Sequence, residues 1–124
     1  MSKILRGLRG ATTAAANTSD AILEATEELL STLQTANGFA PEDVESAIFT
    51  SSPDLTAEYP ARAARRLGWT EVPLLGAMEV AVPGGVPRCI RVLLHFYTNK
   101  PPGALKHTYL KGAANLRSDR LSPQ

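Results

Sequence analysis

Cys89-Ile90-Arg91-Val92-Leu93-Leu94-His95-Phe96 is the stretch on which the fold turns. Its density of isoleucine, valine and leucine reads as a strand. It also carries an arginine near its middle. A guanidinium keeps its charge at any ordinary pH and is rarely buried without a partner, so Arg91 calls for an anion. A second arginine closes residues 3–9, where Leu5, Gly7 and Arg9 alternate onto one face and Ile4, Arg6 and Leu8 onto the other. Neither arginine has a carboxylate beside it in the chain. Two arginines in strand positions mark a place for an acidic ligand. On strand pattern alone, edge arginines reaching to water along apolar stems remain an open alternative.

Outward from these strands, residues 10–17 are a connection of small residues. Thr18 then offers an N-cap, with Asp20 in the first turn of a helix. Ile22, Thr26, Leu29 and Leu33, flanked by Leu23 and Leu30, form its apolar stripe, while Glu24, Glu27, Glu28 and Gln34 face away. Gly38 is the stop. Pro41 opens a short helical turn through Val44, residues 47–51 read as a buried strand, and Pro53 ends it. Pro60 begins a short basic helix over 61–67, closed by Gly68 and carrying Arg62, Arg65 and Arg66. Residues 72–78 are a further strand, Gly84 and Gly85 mark the turn into the Arg91 strand, and 105–110 supply a fifth. Residues 1–117 make a single domain, and the patternless tail over 118–124 is expected to be mobile.

The expected fold class is therefore α/β (α+β): a mixed five-stranded β-sheet with one long helix and short helical turns, the helix covering one face. Too few helices remain for the other face. Its apolar residues are expected to be buried against further copies of the chain, in a cyclic homo-oligomer.

Composition excludes several functions. Thirteen basic and twelve acidic residues give a net charge of +1, so nucleic acid is not an expected partner. No apolar run approaches the roughly 20 residues of a membrane span, and the amino terminus has no signal-peptide core, so the expectation is a cytoplasmic protein without a membrane partner. The single cysteine, Cys89, excludes an internal disulfide and reads as structural. His95 and His107 lack any metal-ligand spacing, and no phosphate loop or complete dinucleotide motif is present, so neither metal nor cofactor is expected. What remains is a set of arginines, Glu79 at a strand end, and Tyr59, Tyr97 and Tyr109. Such a set suits electrostatic catalysis or plain anion binding. By themselves, a glutamate such as Glu79 is more often a solvated strand end and a tyrosine such as Tyr109 more often a packing residue.

Arg6-Gly7-Leu8-Arg9-Gly10-Ala11-Thr12-Thr13, then Pro53-Asp54-Leu55, then Pro60-Ala61 followed by Arg65, Leu67, Gly68 and Trp69, resemble the small monofunctional chorismate mutases. Glu79, Gly84-Gly85, Cys89-Ile90-Arg91-Val92 and Tyr109-Leu110 continue the resemblance in order, from Lys3 to about Asp119. The class is the trimeric α/β one, not the all-helical one of the same activity. The resemblance implies a homotrimer whose sheets pack as a pseudo-barrel, with active sites at the subunit interfaces. Its implied reaction is the Claisen rearrangement of chorismate to prephenate, which needs no nucleophile, metal or cofactor.

By position, the resemblance gives Arg91 the breaking ether oxygen and Glu79 the ring hydroxyl. Arg9 and Tyr109 take the substrate carboxylate. Tyr59, Ala61, Arg62, Leu74, Leu75 and Gly76 match the wall from the neighbouring subunit, with Arg65 at its mouth, and Leu116 and Arg117 match a closing tail. Gly76, Arg62 and Tyr59 stand where the family pattern has cysteine, lysine and phenylalanine. Two other readings use the same arginines: an enamine or imine deaminase of a related trimeric fold, and a non-catalytic trimer that senses a carboxylate ligand.

Overall fold

Thr18 is extended (φ −134°, ψ 155°) and its hydroxyl accepts the Ala21 N–H at 3.1 Å, so helix α1 (Ser19–Asn37) starts where the cap residue dictates. Gly38 adopts φ 65° and donates its N–H to the Gln34 carbonyl at 2.8 Å, which ends the helix. The expected stripe is the buried one, and each of its leucines contributes roughly 1.5–3 kcal/mol by leaving water. Two residues expected to face away do not. Gln34 accepts the Nε1–H of fully buried Trp69 at 3.3 Å, and Glu27 pairs with Arg66 at 2.9 Å.

The computed structural model describes residues 2–116; Arg117 and the tail expected over 118–124 lie outside them. Strands β1 (Ile4–Thr13), β2 (Val44–Ser51), β3 (Leu74–Met78), β4 (Cys89–Thr98) and β5 (Thr108–Tyr109) form one sheet in the order β3-β2-β4-β1-β5. β1 and β2 flank β4 antiparallel, while β3 and β5 join parallel at the edges, so the sheet is mixed as expected. Helix α1 and the short helix α2 (Ala61–Arg66) cover one face. There Leu8, Phe49, Val92, Leu94 and Phe96 meet Leu29, Leu30 and Leu33. Phe39 stands edge-on to Trp69 and tilted against Phe96, with ring centroids 6.1 and 5.0 Å away.

Strand limits differ from the sequence reading. β2 starts at Val44 instead of residue 47, β3 at Leu74 instead of residue 72, and β4 runs on to Thr98. β1 and β5 differ most. β1 does not stop at Arg9 but runs through Thr13, paired with β4 as far as Cys89, and Gly10 lies where the helix presses on the sheet. A side chain on Gly10 would come within 2.9 and 3.0 Å of Leu33 and Leu29 and 3.2 Å of the Thr108 carbonyl. Smallness here serves packing, not a turn. β5 is two residues long instead of the six expected, because the buried Asn37 side chain takes up the chain before it. Asn37 accepts the Lys106 N–H at 2.8 Å and donates to the Lys106 carbonyl at 3.1 Å, replacing a strand partner.

Among the described residues, the second face of the sheet is covered only at one end. Ala113 and Leu116 pack there on Ala11 and Cys89, while Leu5, Leu75 and Tyr97 stay 44%, 62% and 41% exposed.

Gly10→Ala is expected to lower stability to denaturant by about 1–3 kcal/mol. Gly7→Ala, whose new methyl would meet only Leu93 at 3.8 Å, should stay within about 0.5 kcal/mol of the parent.

Candidate active site

Strand alternation and register place the two arginines together. Arg91 lies across from Ala11 on β1 and Thr50 on β2, while Arg9 lies across from Leu93, two residues along β4 from Arg91. Both side chains therefore rise from the face that α1 leaves bare. Tyr109 joins them because β5 pairs Tyr109 with Ala11, and the Leu110 N–H donates to the Ala11 carbonyl at 2.9 Å. Arg9, Arg91, Tyr109, Ile48, Thr50 and Leu93 line a cavity of about 240 Å³.

Arg91 also borders a neighbouring cavity of about 490 Å³, which holds Glu79, Val80, Val82, Val86, Cys89 and Leu116. The two hollows share Arg91, which makes it the centre of one cleft. Glu79 reaches it because its N–H donates to the Ser51 carbonyl at 2.9 Å, carrying the β2–β3 pairing one residue beyond Met78. Its carboxylate forms an ion pair with the Arg91 guanidinium, the side chains being 27% and 29% exposed. The lack of a carboxylate beside Arg91 in sequence is thus made good by a strand folded next to it. Among the described residues, no carboxylate pairs with Arg9.

The cleft can hold an anion against two guanidinium groups while presenting one carboxylate oxygen to a hydroxyl or a positive centre. No group of three potential metal ligands occurs among the described residues. Burial pushes the Cys89 thiol up in pKa against the opposing Arg91 charge, which favours the protonated form.

The remaining expected site residues lie elsewhere on the chain. Tyr59 and Gly76 border a separate hollow of about 510 Å³ with Pro60 and Met78. Arg62 is tied to Glu58 at 2.9 Å, and Arg65 donates to the Trp69 and Thr70 carbonyls. Leu74 and Leu75 lie on β3, at the sheet edge, and Ala61 opens α2. One chain therefore brings Arg9, Glu79, Arg91, Tyr109 and Leu116 together and holds Tyr59, Ala61, Arg62, Arg65, Leu74, Leu75 and Gly76 apart from them. Arg117 lies outside the described residues.

Two features were missed in the sequence. Thr50 lines the smaller cavity with a buried hydroxyl that has no partner among the described residues. Asp54, quoted there only as part of a motif, organises the start of β4. It accepts the Ser52 hydroxyl and the Arg88 N–H, while Ser52 Oγ accepts the Cys89 N–H at 2.9 Å. Arg88 itself holds φ 48°, a conformation costly for a residue with a Cβ and kept here by Asp54 and by an Nε bond to the Ala14 carbonyl at 3.0 Å. A Pro-Asp turn signal was visible, but nothing local linked residue 54 to 88.

Comparison with known proteins adds a family to this geometry. A family model described as chorismate mutase type I matches residues 5–120. The chorismate mutase AroH of Thermus thermophilus is 47% identical over 122 residues, covering 98% of this chain and 100% of that protein. Its namesake in Bacillus subtilis is 40% identical over 117 residues, 94% of this chain and 92% of that one. A solved chorismate mutase from Clostridium thermocellum superimposes with a TM-score of 0.86 at 44% identity, over 87% of this chain and 96% of its own.

The bond from the Ser52 hydroxyl holds the Asp54 carboxyl below its ordinary 3.8, desolvation opposes this, and the Arg88 N–H lowers it further. A depressed carboxyl stabilises the fold above the unfolded-state pKa, and that contribution is lost as pH falls through the lowered value. Asp54→Asn should therefore lower the melting temperature near neutral pH, by less than the loss of a buried bond would, because Asp54 is exposed and solvent screens its charge. Thermal melts of both proteins should converge as the medium is acidified below pH 3.8.

Proposed function

Because the chain belongs to the type I chorismate mutase family, it is an isomerase that converts chorismate to prephenate in aromatic amino acid biosynthesis, and we propose that the Arg91 cleft performs this conversion. The observation that carries the assignment is the placement of Arg9 and Arg91 on one face of adjacent strands, with Glu79 ion-paired to Arg91.

The rearrangement breaks an ether C–O bond and forms a C–C bond within one molecule. Electron density gathers on the ether oxygen while the ring becomes electron-poor. In this reading Arg91 donates to that oxygen as its charge develops and to the side-chain carboxylate through its fork. Arg9 and the Tyr109 hydroxyl hold the carboxylate, fixing the folded conformer in which the two carbon termini meet. Glu79 accepts the ring hydroxyl and offsets the positive character of the ring. No covalent intermediate forms and no cofactor takes part. Because these groups stand fixed before the substrate arrives, they stabilise the transition state with little reorganisation.

The same reading makes the working unit a homotrimer with its sheets packed as a pseudo-barrel. The exposed Leu5, Leu75 and Tyr97 support this, because a bare apolar sheet face is buried most simply by like faces. So does the division of the site: the β3 edge and α2 of one copy, carrying Tyr59, Ala61, Arg62, Arg65, Leu74, Leu75 and Gly76, would wall the Arg91 cleft of the next. Gly76 contributes only main chain there, Arg62 keeps a positive charge and Tyr59 keeps a ring. Leu116, already against the cleft, and Arg117 after it would close over the ligand. The protein works in the cytoplasm in this reading, where its one cysteine, a free and buried thiol, needs no oxidising compartment.

Arg91→Lys should lower kcat with chorismate by about 10²–10³-fold while light scattering still reports a trimer, since an ammonium cannot reproduce the fork. Near-parental turnover would overturn the assignment. Glu79→Gln, measured in the same ultraviolet assay, should depress kcat more than it alters KM, because the neutral amide no longer offsets the ring's developing charge.

A further inference from the structure

His107 is absorbed by neither the fold nor the proposed chemistry, yet it sits between two residues of the cleft. Its Nδ1 accepts the main-chain N–H of Arg9 at 3.0 Å. The parallel β1–β5 ladder pairs Gly10 with Thr108 and Ala11 with Tyr109. One rung earlier, the Arg9 amide would find its acceptor in the Lys106 carbonyl. That carbonyl is turned to the Asn37 side chain, with the Lys106 N–H bound there as well. The Arg9 amide is left without its ladder acceptor, and the imidazole takes the vacant place.

We infer that His107 is a positioning residue for substrate binding, whose imidazole stands in for the missing ladder carbonyl and so fixes Tyr109 relative to Arg9. The inference rests on the reading of Arg9 and Tyr109 as joint holders of the substrate carboxylate. β5 is only two residues long, and a short edge strand has few bonds to resist sliding. Arg9 is held from its other side by the long pairing with β4. Loss of the imidazole acceptor therefore moves Tyr109, not Arg9, and opens the grip on the carboxylate. Arg91 and Glu79, on β4 and after β3, keep their places. The acceptor must be an unprotonated nitrogen, and partial desolvation of this partly exposed imidazole, with the Arg9 charge adding to it, lowers the His107 pKa from its ordinary 6.5.

The test compares His107→Leu, which keeps bulk without an acceptor, with His107→Asn, whose side-chain oxygen falls near the position of Nδ1. With chorismate as substrate, His107→Leu should raise KM about five- to tenfold and leave kcat within about threefold. His107→Asn should stay within about twofold of the parent in KM. If His107→Leu does not fold, His107→Ala replaces it with the same expectations. Amide hydrogen exchange in the acceptor-free variant should show protection lost at Arg9 and reduced at Ala11, whose main chain pairs with the displaced β5, and kept along β4 on the other side of β1. Arg9→Ala in the same assay separates the two readings. If it raises KM while His107→Leu or His107→Ala does not, His107 has no positioning role. If Arg9→Ala leaves KM unchanged, the carboxylate reading falls and this inference falls with it. Equal KM increases in the asparagine and acceptor-free variants, tracking their melting temperatures, would make His107 merely structural and overturn the inference.

Discussion

The ten-residue antiparallel pairing of β1 with β4 is the constraint on which the structure depends. A strand has two faces and a period of two, so a slip of one residue in either strand would exchange them. A slip of β4 would take Val92, Leu94 and Phe96 out of the core and drive Arg91 beneath helix α1, and a slip of β1 would do the same to Leu8 and Arg9. The register is therefore held by the burial of four apolar side chains and by the cost of burying two charges that cannot be neutralised. Core formation and site formation are one event. The closeness of α1 reinforces it, because a side chain at position 10 would crowd Leu29, Leu33 and the Thr108 carbonyl.

The electrostatics of the cleft follow from the same geometry. Arg91 rises from the central strand, partly withdrawn from water, where a guanidinium interacts with a nearby charge more strongly than at the surface. Glu79 compensates it without cancelling its use, since a planar fork has further N–H groups to present. An arginine and a glutamate paired in a partly apolar cleft suit a reaction whose transition state separates charge within one molecule, as the proposed assignment requires. The side chains of Val80, Val82, Val86 and Leu116 keep part of that cleft apolar.

Wherever the regular ladders end, side chains take over the work of the main chain. Asn37 binds both polar groups of Lys106, His107 serves the Arg9 amide, and Ser52 with Asp54 holds the start of β4. Each satisfies a backbone group that the strand ladders leave without a partner. These polar clamps stand at the borders of the cleft, where the strands carrying Arg91 and Tyr109 begin. They join the irregular parts of the chain to the rigid sheet.

The sequence by itself determined the elements whose causes are local. Thr18 and Gly38 mark the long helix, Pro60 and Gly68 the short one, and the branched residues around Arg91 the central strand. It also identified the arginines as a place for an anion, because a guanidinium's need for a partner is a property of the residue, and its motif order carried the family. Tertiary structure alone decided that β1 continues through Thr13, since smallness at Gly10 has meaning only beneath a helix. It alone decided that Asn37 displaces most of β5, that Glu79 meets Arg91, that Asp54 meets Arg88, and that His107 reaches Arg9 across 98 residues of chain. Local propensity and periodicity record what a segment does with its neighbours in sequence. These contacts join segments far apart in the chain, and only packing and strand register bring them within reach.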